Sequence, residues 1–299
     1  MQAKNSQSTS GMIALLGVGT LYGMYGIFTR LIGESFTAFT QALVKNGIAF
    51  ILALLVMFLF KHKWVWPNKK ELPWLLLWLF LGSFAMILMF IGFNNLPIGQ
   101  TYFLLYSTMI SFGLITGKVA LQEKITPIKG ISFIFSILGL FFIYADSFRF
   151  TTPALLILLA GACMGVWNTV TKKFSARFSD FGLVAIDGLT GAIVGLVGML
   201  WLGQTLPSLG PNIDRSWFWI SIFGTSQVVS IALMIYGFKR VEAQIGSLIL
   251  PIEVVAATIF GFLFFAEIPT TFTFIGGALI GSAAILPGIS TLIEAKAKK

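Results

Sequence analysis

Long apolar runs, separated by short polar segments, dominate the hydrophobic and polar pattern of the chain. A helix that crosses about 30 Å of hydrocarbon needs about 20 mostly apolar residues, because each residue advances the helix by about 1.5 Å. Ten runs satisfy this length, at residues 12–32, 36–60, 73–93, 98–117, 129–145, 152–171, 181–203, 216–238, 244–266 and 270–292. The pattern therefore predicts an all-α integral membrane protein with ten transmembrane helices.

The composition favours lipid as the solvent of these runs. Hydrophobic residues make up 57% of the chain and charged residues only 10%, whereas roughly a quarter of the residues in a soluble domain are charged. The single cysteine, Cys163, lies in an apolar run and leaves no intrachain disulfide to form. The first apolar run has full span length, so we expect a transmembrane helix there and not a cleaved signal peptide.

Basic residues are distributed unevenly between the two ends of the predicted spans. With a cytoplasmic N-terminus, sixteen of them lie inside and three, Arg30, Arg149 and Arg215, lie outside. The inside set is Lys4, Lys61, Lys63, Lys69, Lys70, Lys118, Lys124, Lys129, Lys172, Lys173, Arg177, Lys239, Arg240, Lys296, Lys298 and Lys299. This bias predicts cytoplasmic N- and C-termini in an inner or plasma membrane. Basic clusters confined to loops between apolar runs also argue against nucleic-acid binding.

The two halves of the chain resemble each other. At a constant offset of 142 residues, Gly19, Gly23, Phe28, Thr29, Arg30, Phe36 and Lys45 match Gly161, Gly165, Val170, Thr171, Lys172, Phe178 and Asp187. Further along, Glu123 matches Glu267. Because each half contains five predicted spans, the second half enters the membrane from the opposite side. The sequence thus predicts two inverted five-helix repeats, at 12–146 and 150–292, an arrangement typical of alternating-access transporters.

A motif in the second half resembles the EamA family of the drug/metabolite transporter superfamily. It consists of Gly237-Phe238, Ala243, Gly246-Ser247, Leu250-Pro251-Ile252-Glu253, Phe265-Ala266-Glu267 and Gly276-Gly277. The first half repeats it loosely, with Tyr106 at the position of Pro251 and Gln122-Glu123 closing the fourth span. The resemblance covers about residues 12–292. It implies cytoplasmic termini, a central cavity lined mainly by spans one to four and six to nine, and export of metabolites more often than import.

Three charged residues, Lys45, Asp187 and Glu253, lie within predicted spans. A charge at the bilayer centre costs at least ~2.5 kcal/mol on insertion scales, so each should face protein or water. Lys45 and Asp187 occupy equivalent positions of the repeat and either pair with each other or face substrate. Ion pairing or snorkelling without any ligand contact is the alternative for all three. Pro251, in mid-span, predicts a kink that serves as a hinge or only as a structural bend.

Aromatic and amide side chains complete the predicted substrate site. These candidates are Tyr22, Tyr25, Tyr102, Tyr106, Trp167, Asn168, Gln227 and Gln244. Contacts with lipid or with neighbouring helices are the alternative for the rings, and bonds between helices are the alternative for the amides. The glycine pairs Gly19/Gly23, Gly161/Gly165 and Gly277/Gly281 have the spacing that permits close helix packing.

These observations favour a secondary transporter that exports small metabolites such as amino acids or related amphiphilic compounds. We expect no cofactor, because the chain has no Gly-rich phosphate loop, and we predict no metal site and no catalytic residue. An intramembrane enzyme is disfavoured because the sole histidine, His62, lies in a basic loop without a nearby carboxylate. The expected partners are a small-molecule substrate and the lipid bilayer, and a homodimer is left open.

Two alternatives remain open. The first is an importer or exchanger of a nucleoside, a vitamin or a quaternary amine, for which the aromatic residues and Glu253 would form a cation-binding box. The second is a membrane scaffold that transports nothing.

Overall fold

A computed structural model describes residues 2–32, 35–96, 98–144, 151–207 and 215–297. Within these ranges the regular structure is entirely helical. The helices are α1 (Gln2–Gly23), α2 (Tyr25–Ile32), α3 (Ala38–Leu59), α4 (Leu72–Asn95), α5 (Ile98–Leu121), α6 (Pro127–Tyr144), α7 (Thr152–Phe174), α8 (Asp180–Trp201), α9 (Arg215–Arg240), α10 (Ala243–Ile249), α11 (Ile252–Phe265) and α12 (Thr271–Ala297). A short 3₁₀ turn, Ser175–Arg177, joins α7 to α8.

Nine helical segments in the described part of the chain are long and apolar enough to cross a membrane. This count takes α1 with α2 as one segment (Ser8–Ile32) and α10 with α11 as another (Ala243–Phe265). Helix α12 adds a shorter apolar stretch, Thr271–Pro287. The chain is therefore a multi-pass helical membrane protein with nine to ten apolar helical segments, in agreement with the all-helical class predicted from the sequence.

Large apolar side chains cover the outside of the helical bundle. Phe58 of α3, Phe80 of α4, Leu200 of α8, Leu263 of α11 and Phe274 of α12 are all exposed. Water would penalise such a surface at roughly 25 cal/mol per Å² of apolar area, whereas lipid tails solvate it without that cost. The outer surface is consistent with immersion in a bilayer.

Equivalent hydroxyl side chains begin α3 and α8. The Oγ1 of Thr37 accepts a hydrogen bond from the backbone N–H of Thr40 at 3.3 Å. The Oγ of Ser179, 142 residues further on, accepts one from the N–H of Gly182 at 2.9 Å. Each oxygen satisfies a backbone donor that has no partner within its helix. The repeat visible in the sequence thus recurs in the way these helices start.

Helices α3 and α8 pack antiparallel through a row of glycines. A side chain at Gly188 would collide with the backbone near Asn46, and one at Gly195 would collide with the backbone of Leu43. Because residue numbers rise along α8 as they fall along α3, the two helices run in opposite directions. This packing holds Lys45 and Asp187, one on each helix, in the interior region between the halves.

Helix α7 packs against α5 through Gly161 and Gly165. These glycines lie against the backbone oxygens of Leu105 and Met109. The corresponding pair, Gly19 and Gly23 of α1, lies against Leu250, Ile252 and Ala256 at the junction of α10 and α11. The prediction that both pairs are close packing positions is confirmed.

The third glycine pair behaves differently. A side chain at Gly277 would meet only Val255, at 3.9 Å, and one at Gly281 would meet nothing within 4 Å. The neighbouring Gly276 contacts Gly139 of α6 instead. The prediction of close packing at Gly277 and Gly281 is therefore wrong, because α12 turns a face shifted by one residue toward α6.

Two spans are interrupted within the bundle. Helix α1 ends at Gly23 and α2 begins at Tyr25, while α10 ends at Ile249 and α11 begins at Ile252. Pro251 has no N–H to donate, and the N–H of Glu253 bonds to the carbonyl of Leu250 at 3.0 Å, one residue closer than in an α-helix. The second interruption lies where Pro251 predicted a kink.

Candidate functional site

Glu253 occupies the first turn of α11, next to the interruption at Pro251. Only 8% of this residue is exposed. Helix α5 runs antiparallel alongside α10 and α11 and places Tyr106 opposite the carboxylate, to which its hydroxyl donates a hydrogen bond. The ring of Tyr102, one turn away on α5, stacks on Tyr106 with a centroid separation of 6.2 Å. A buried carboxylate and two tyrosines thus form one wall of the site.

A second pair of tyrosines faces the same carboxylate from α1 and α2. The rings of Tyr22 and Tyr25 lie 4.8 Å apart between centroids. The Tyr25 hydroxyl donates to the Oε1 of Gln227 on α9 at 2.8 Å. Both residues interact electrostatically with Glu253, as does Tyr144 at the end of α6. Together with Tyr102 and Tyr106, five of the six tyrosines of the chain gather around this carboxylate.

Lys45 approaches this cluster from α3. Its ammonium lies 4.7 Å from the ring centroid of Phe223 and 5.7 Å from that of Tyr25, within the range of a cation–π contact. Among the described residues it forms no ion pair, although it interacts electrostatically with Asp187. Lys45 and Asp187 are both partly buried. The close pairing that the sequence left open is thus absent from this part of the chain, and the two charges face the interior separately.

Three predicted site residues lie elsewhere in the bundle. Trp167 stacks on Trp78 of α4 with a centroid separation of 5.0 Å. The Nδ2 of Asn168 donates to the Oγ of Ser247 on α10 at 3.4 Å. Gln244 lies at the first turn of α10, nine residues before Glu253. The structure therefore brings Lys45, Asp187, Glu253, Gln227 and the four predicted tyrosines together, and places these three outside that cluster.

One layer of apolar side chains closes the cluster toward the end of the bundle where α10 begins. Leu15 and Val18 of α1, Ile110 of α5, Met234 of α9 and Leu248 of α10 are between 0% and 2% exposed. All five belong to the same hydrophobic core. Because each lies one or two helical turns from a residue of the cluster, the layer separates the cluster from the solvent at that end.

Beyond this layer, Glu123 holds the start of α10. Its carboxylate accepts hydrogen bonds from the backbone N–H groups of Ala243, at 2.7 Å, and Gln244, at 3.0 Å. Lys172, at the end of α7, pairs with the same carboxylate at 3.3 Å and donates to the carbonyl of Val241. The Glu123 side chain is 6% exposed. These contacts join α5, α7 and α10 into a closed end.

A second lysine reinforces the closed end. Lys129, near the start of α6, pairs with Glu242 and donates to the Oε1 of Gln244 at 2.7 Å. It also donates to the carbonyl of Lys124 at 2.7 Å. Its side chain is 6% exposed. A lysine buried to this extent needs partners for its charge, and all of those named here lie on α10 or next to it.

The opposite end of the bundle carries a related but open arrangement. Arg30, at the end of α2, pairs with Glu267, just beyond α11. Their side chains are 48% and 53% exposed. These two residues match Lys172 and Glu123 in the repeat. From Ala243 to Phe265 the chain spans about 35 Å at ~1.5 Å per residue, so the two pairs lie at opposite ends of the bundle.

Several of these residues were not assigned to a site by sequence reasoning. Arg30, Lys172, Glu123 and Glu267 appeared as matches between the halves, and the signal available was that two basic positions and two acidic positions repeat together. Tyr144 offered no such signal. Among the described residues no three His, Cys, Asp or Glu side chains gather closely enough to hold a metal ion.

The fold and the site define a class of protein: a multi-pass helical membrane protein with charged and aromatic side chains gathered in its interior. Within that class, the model of the EamA-like transporter family matches this chain twice, at residues 9–145 and again at residues 151–287. The chain belongs to the EamA-like transporter family. Both matches begin 142 residues apart, the same offset that relates the halves in the sequence.

Two further comparisons are consistent with this membership. The chain is 24% identical over 270 residues to the uncharacterized membrane protein YMR253C of Saccharomyces cerevisiae, in a match that covers 81% of this chain and 64% of that protein. It thus spans less than two thirds of the length of that relative. A protein of known crystal structure superposes with a TM-score of 0.80 and 16% identity, covering 96% of this chain and 97% of the other, which shows the same fold.

Proposed function

We propose that this protein is a secondary transporter that exports small amphiphilic metabolites carrying an amino group across an inner or plasma membrane by alternating access. In this proposal the ten spans form two inverted five-helix units, at 12–146 and 150–292, with both termini in the cytoplasm. Substrate binds at the cluster around Glu253 in the centre of the bundle.

The observation that carries the proposal is the relation between the two end pairs. Glu123 and Lys172 are tied into the start of α10, whereas Arg30 and Glu267 stand exposed at the opposite end. An alternating-access protein needs two equivalent closures that engage in turn on either side of one site. Equivalent residues in unequal states at the two ends are what such a protein contains when one side is closed.

Helix packing supports the inverted relation between the halves. Helix α1 packs against α9 and α11, while its counterpart α7 packs against α4 and α5, the counterparts of those helices. Helices α3 and α8 pack against each other, as do α6 and α12. The members of these two pairs match each other in the repeat. This exchange of partners is the contact pattern expected when a two-fold axis relates the halves.

A counterflow assay in proteoliposomes tests the transport function. Compounds that raise the unfolding temperature of the purified protein are first selected from a panel of amino acids and amines, since a ligand that binds the folded state stabilises it. The proposal expects radiolabelled forms of these compounds to accumulate in liposomes preloaded with unlabelled compound. Stabilising compounds that show no counterflow would leave a binding protein or a scaffold as the function.

The proposed orientation is tested by labelling single cysteines introduced into a background in which Cys163 is replaced by serine. Residue Asn68 lies in a loop expected in the cytoplasm, and Ser208 lies in a loop expected outside. A membrane-impermeant maleimide should label the variant at Ser208 and spare the one at Asn68 in intact cells. The reverse labelling would overturn the assignment and, with it, the expected direction of export.

The alternative importer or exchanger of a nucleoside, a vitamin or a quaternary amine gives a different result in the same liposomes. Its substrates would stabilise the protein and undergo counterflow, while amino acids would do neither.

A further inference from the structure

The three charges of the central cluster do not balance. Lys45 and Asp187 interact electrostatically and offset each other. Glu253, by contrast, receives a hydrogen bond from Tyr106 and forms no ion pair with any described residue. With all three groups ionised, the cluster carries one uncompensated negative charge. A buried carboxylate without a cation is unfavourable, so the site is completed by a ligand that brings one positive charge.

The surroundings of Glu253 suit a particular kind of cation. Tyr22, Tyr102, Tyr106 and Tyr144 present aromatic rings around its carboxylate, and ring faces attract ammonium groups. The cluster already holds one ammonium group in this way, because Lys45 lies over the rings of Phe223 and Tyr25. A metal ion would need several oxygen ligands at short range, whereas an organic ammonium needs one carboxylate and aromatic faces.

A zwitterion fits this arrangement less well than a monocation. Its ammonium group would bind at Glu253, but its carboxylate would need a positive partner a few ångströms away. Lys45 is the only basic residue among those placed in the cluster, and it is directed at Phe223 and Tyr25 and balanced by Asp187. The second charge of a zwitterion would therefore stay unpaired in a desolvated site, which costs free energy.

We infer that the central site of this protein selects monocationic organic amines, with Glu253 as the counter-charge and the surrounding tyrosines as the ring faces that hold the ammonium group. The inference rests on the proposed transport function for its physiological meaning, but it concerns binding and can be tested without transport. It also predicts that methylated ammonium groups are accepted, because ring faces bind a cation without requiring N–H donors.

The test uses four probes that share one phenylethyl body and differ in charge. They are 2-phenylethylamine, its N,N,N-trimethyl derivative, the zwitterion phenylalanine and the anion 3-phenylpropionate. Binding to the purified full-length protein is measured by titration calorimetry and by the shift in unfolding temperature. We expect both monocations to bind at least about tenfold more tightly than phenylalanine, and 3-phenylpropionate not to bind.

Variants assign the selectivity to the site. Glu253→Gln keeps the shape of the side chain and removes its charge, so it should abolish the preference for the monocations. Tyr106→Phe keeps both the ring and the carboxylate and should weaken binding only about two- to fivefold, since one hydrogen bond is lost. Glu71→Gln, which removes a carboxylate from the loop before α4, is the matched control and should bind all probes as the wild type does. Should Glu253→Gln fail to fold, the probe series on the wild type and on Tyr106→Phe still decides the matter.

Each result supports or overturns the inference. Equal affinity for phenylethylamine and phenylalanine would show that a second anchor takes the carboxylate, and a preference that survives in Glu253→Gln would place the counter-charge elsewhere. Absence of binding by all four probes would also overturn it. Counterflow of labelled phenylethylamine separates the two proposals: charge-selective binding without counterflow refutes transport alone, while transport of other solutes without charge selectivity refutes the amine site alone.

Discussion

The two ends of the bundle are built from equivalent residues, yet only one of them is closed. At one end Glu123 binds Lys172 and two backbone N–H groups of α10, and its side chain is 6% exposed. At the other end Glu267 binds Arg30 with both side chains about half exposed. The same pair of charges is therefore a structural joint in one half and a surface ion pair in the other. The difference lies in what the carboxylate can reach, not in the residue types.

A broken helix accounts for much of this difference. Helix α10 is a separate unit of seven residues, all of them buried, and its free N–H groups face Glu123. Its counterpart in the first half is part of the continuous helix α5. Pro251 in the second half and Tyr106 in the first occupy matching positions. The break thus creates a movable segment on the closed side, and the break adjoins Glu253, which lies two residues further on.

The largest predicted effect distinguishes the two carboxylates directly. Glu123→Gln removes the charge that Lys172 and the start of α10 share, and we expect it to lower the free energy of unfolding by about 2–3 kcal/mol. Glu267→Gln breaks an exposed pair and should cost less than about 1 kcal/mol, because solvent screens its charges. Thermal unfolding of the two purified variants in the same detergent measures both. Equal losses would show that the ends are equivalent in stability.

A substitution at the break tests whether the movable segment matters for turnover. Pro251→Ala restores a backbone N–H and favours a continuous helix through α10 and α11. We expect transport to slow by about three- to tenfold while substrate affinity changes little, because the segment would shift between its positions less readily. Counterflow rates and calorimetric affinity measure the two quantities.

Pro287→Ala is the control for this prediction, because Pro287 also lies inside a helix, α12, but in the closing span of its half. Its transport rate should stay near that of the wild type. A normal rate for Pro251→Ala would instead show that the interruption is only a structural bend.

The matching charges Lys45 and Asp187 give a smaller expected effect. Lys45→Met leaves Asp187 without its balancing charge in a partly buried site, so we expect a loss of about 1–2 kcal/mol in stability. Adding Asp187→Asn should recover most of that loss, since the two charges interact. Unfolding of the two single variants and of the double variant measures the coupling. If the double variant regains both stability and wild-type transport, Lys45 is a structural residue and has no role in substrate binding.

Much of the fold could be predicted from the sequence, because spans, caps and breaks are local properties. The lengths of the apolar runs, the position of Pro251 and the equivalence of Lys45 with Asp187 all follow from a few neighbouring residues. The face that each helix presents to its neighbours does not. Helices such as α4 are apolar on all sides, so periodicity indicates no buried face. This explains why Trp167 was expected at the tyrosine cluster although it stacks on Trp78.

The site was predictable to a similar degree and for similar reasons. A charge within a span marks itself, so Glu253 could be found, and Tyr106 could be found from its match with Pro251. Tyr144 could not, because it lies at the end of α6 and reaches the cluster only through the packing of that helix. The closed end was missed because its main contacts join a side chain to backbone groups 120 residues away, at Ala243.

The smallest predicted effect concerns an ion pair that only one end of the bundle has. Arg177, in the turn between α7 and α8, donates to both carboxylate oxygens of Glu71 at 2.9 Å and 2.6 Å. The matching positions of the other half hold Ser35 and Ile213, which cannot form such a pair. Hydrogen bonds from Arg177, and then from the backbone of Asn68, lower the pKa of Glu71 below its ordinary value of 4.5.

The sign of the resulting pH dependence follows from that lowered pKa. The folded protein holds the ionised form of Glu71 more strongly than the unfolded chain does, so the pair stabilises the fold at pH values above 4.5. As the pH falls through the lowered pKa, Glu71 is protonated in the folded state as well, and the contribution disappears. Arg177→Gln should therefore lower the unfolding temperature by a small, constant amount between about pH 5 and pH 7, and by nothing near pH 3. Replacing the exposed Lys69 of the same loop by glutamine is the control for a general loss of positive charge. A deficit of Arg177→Gln that persists unchanged at pH 3 would show that its contacts with backbone carbonyls, such as that of Trp66 at 2.9 Å, matter more than its charge pair.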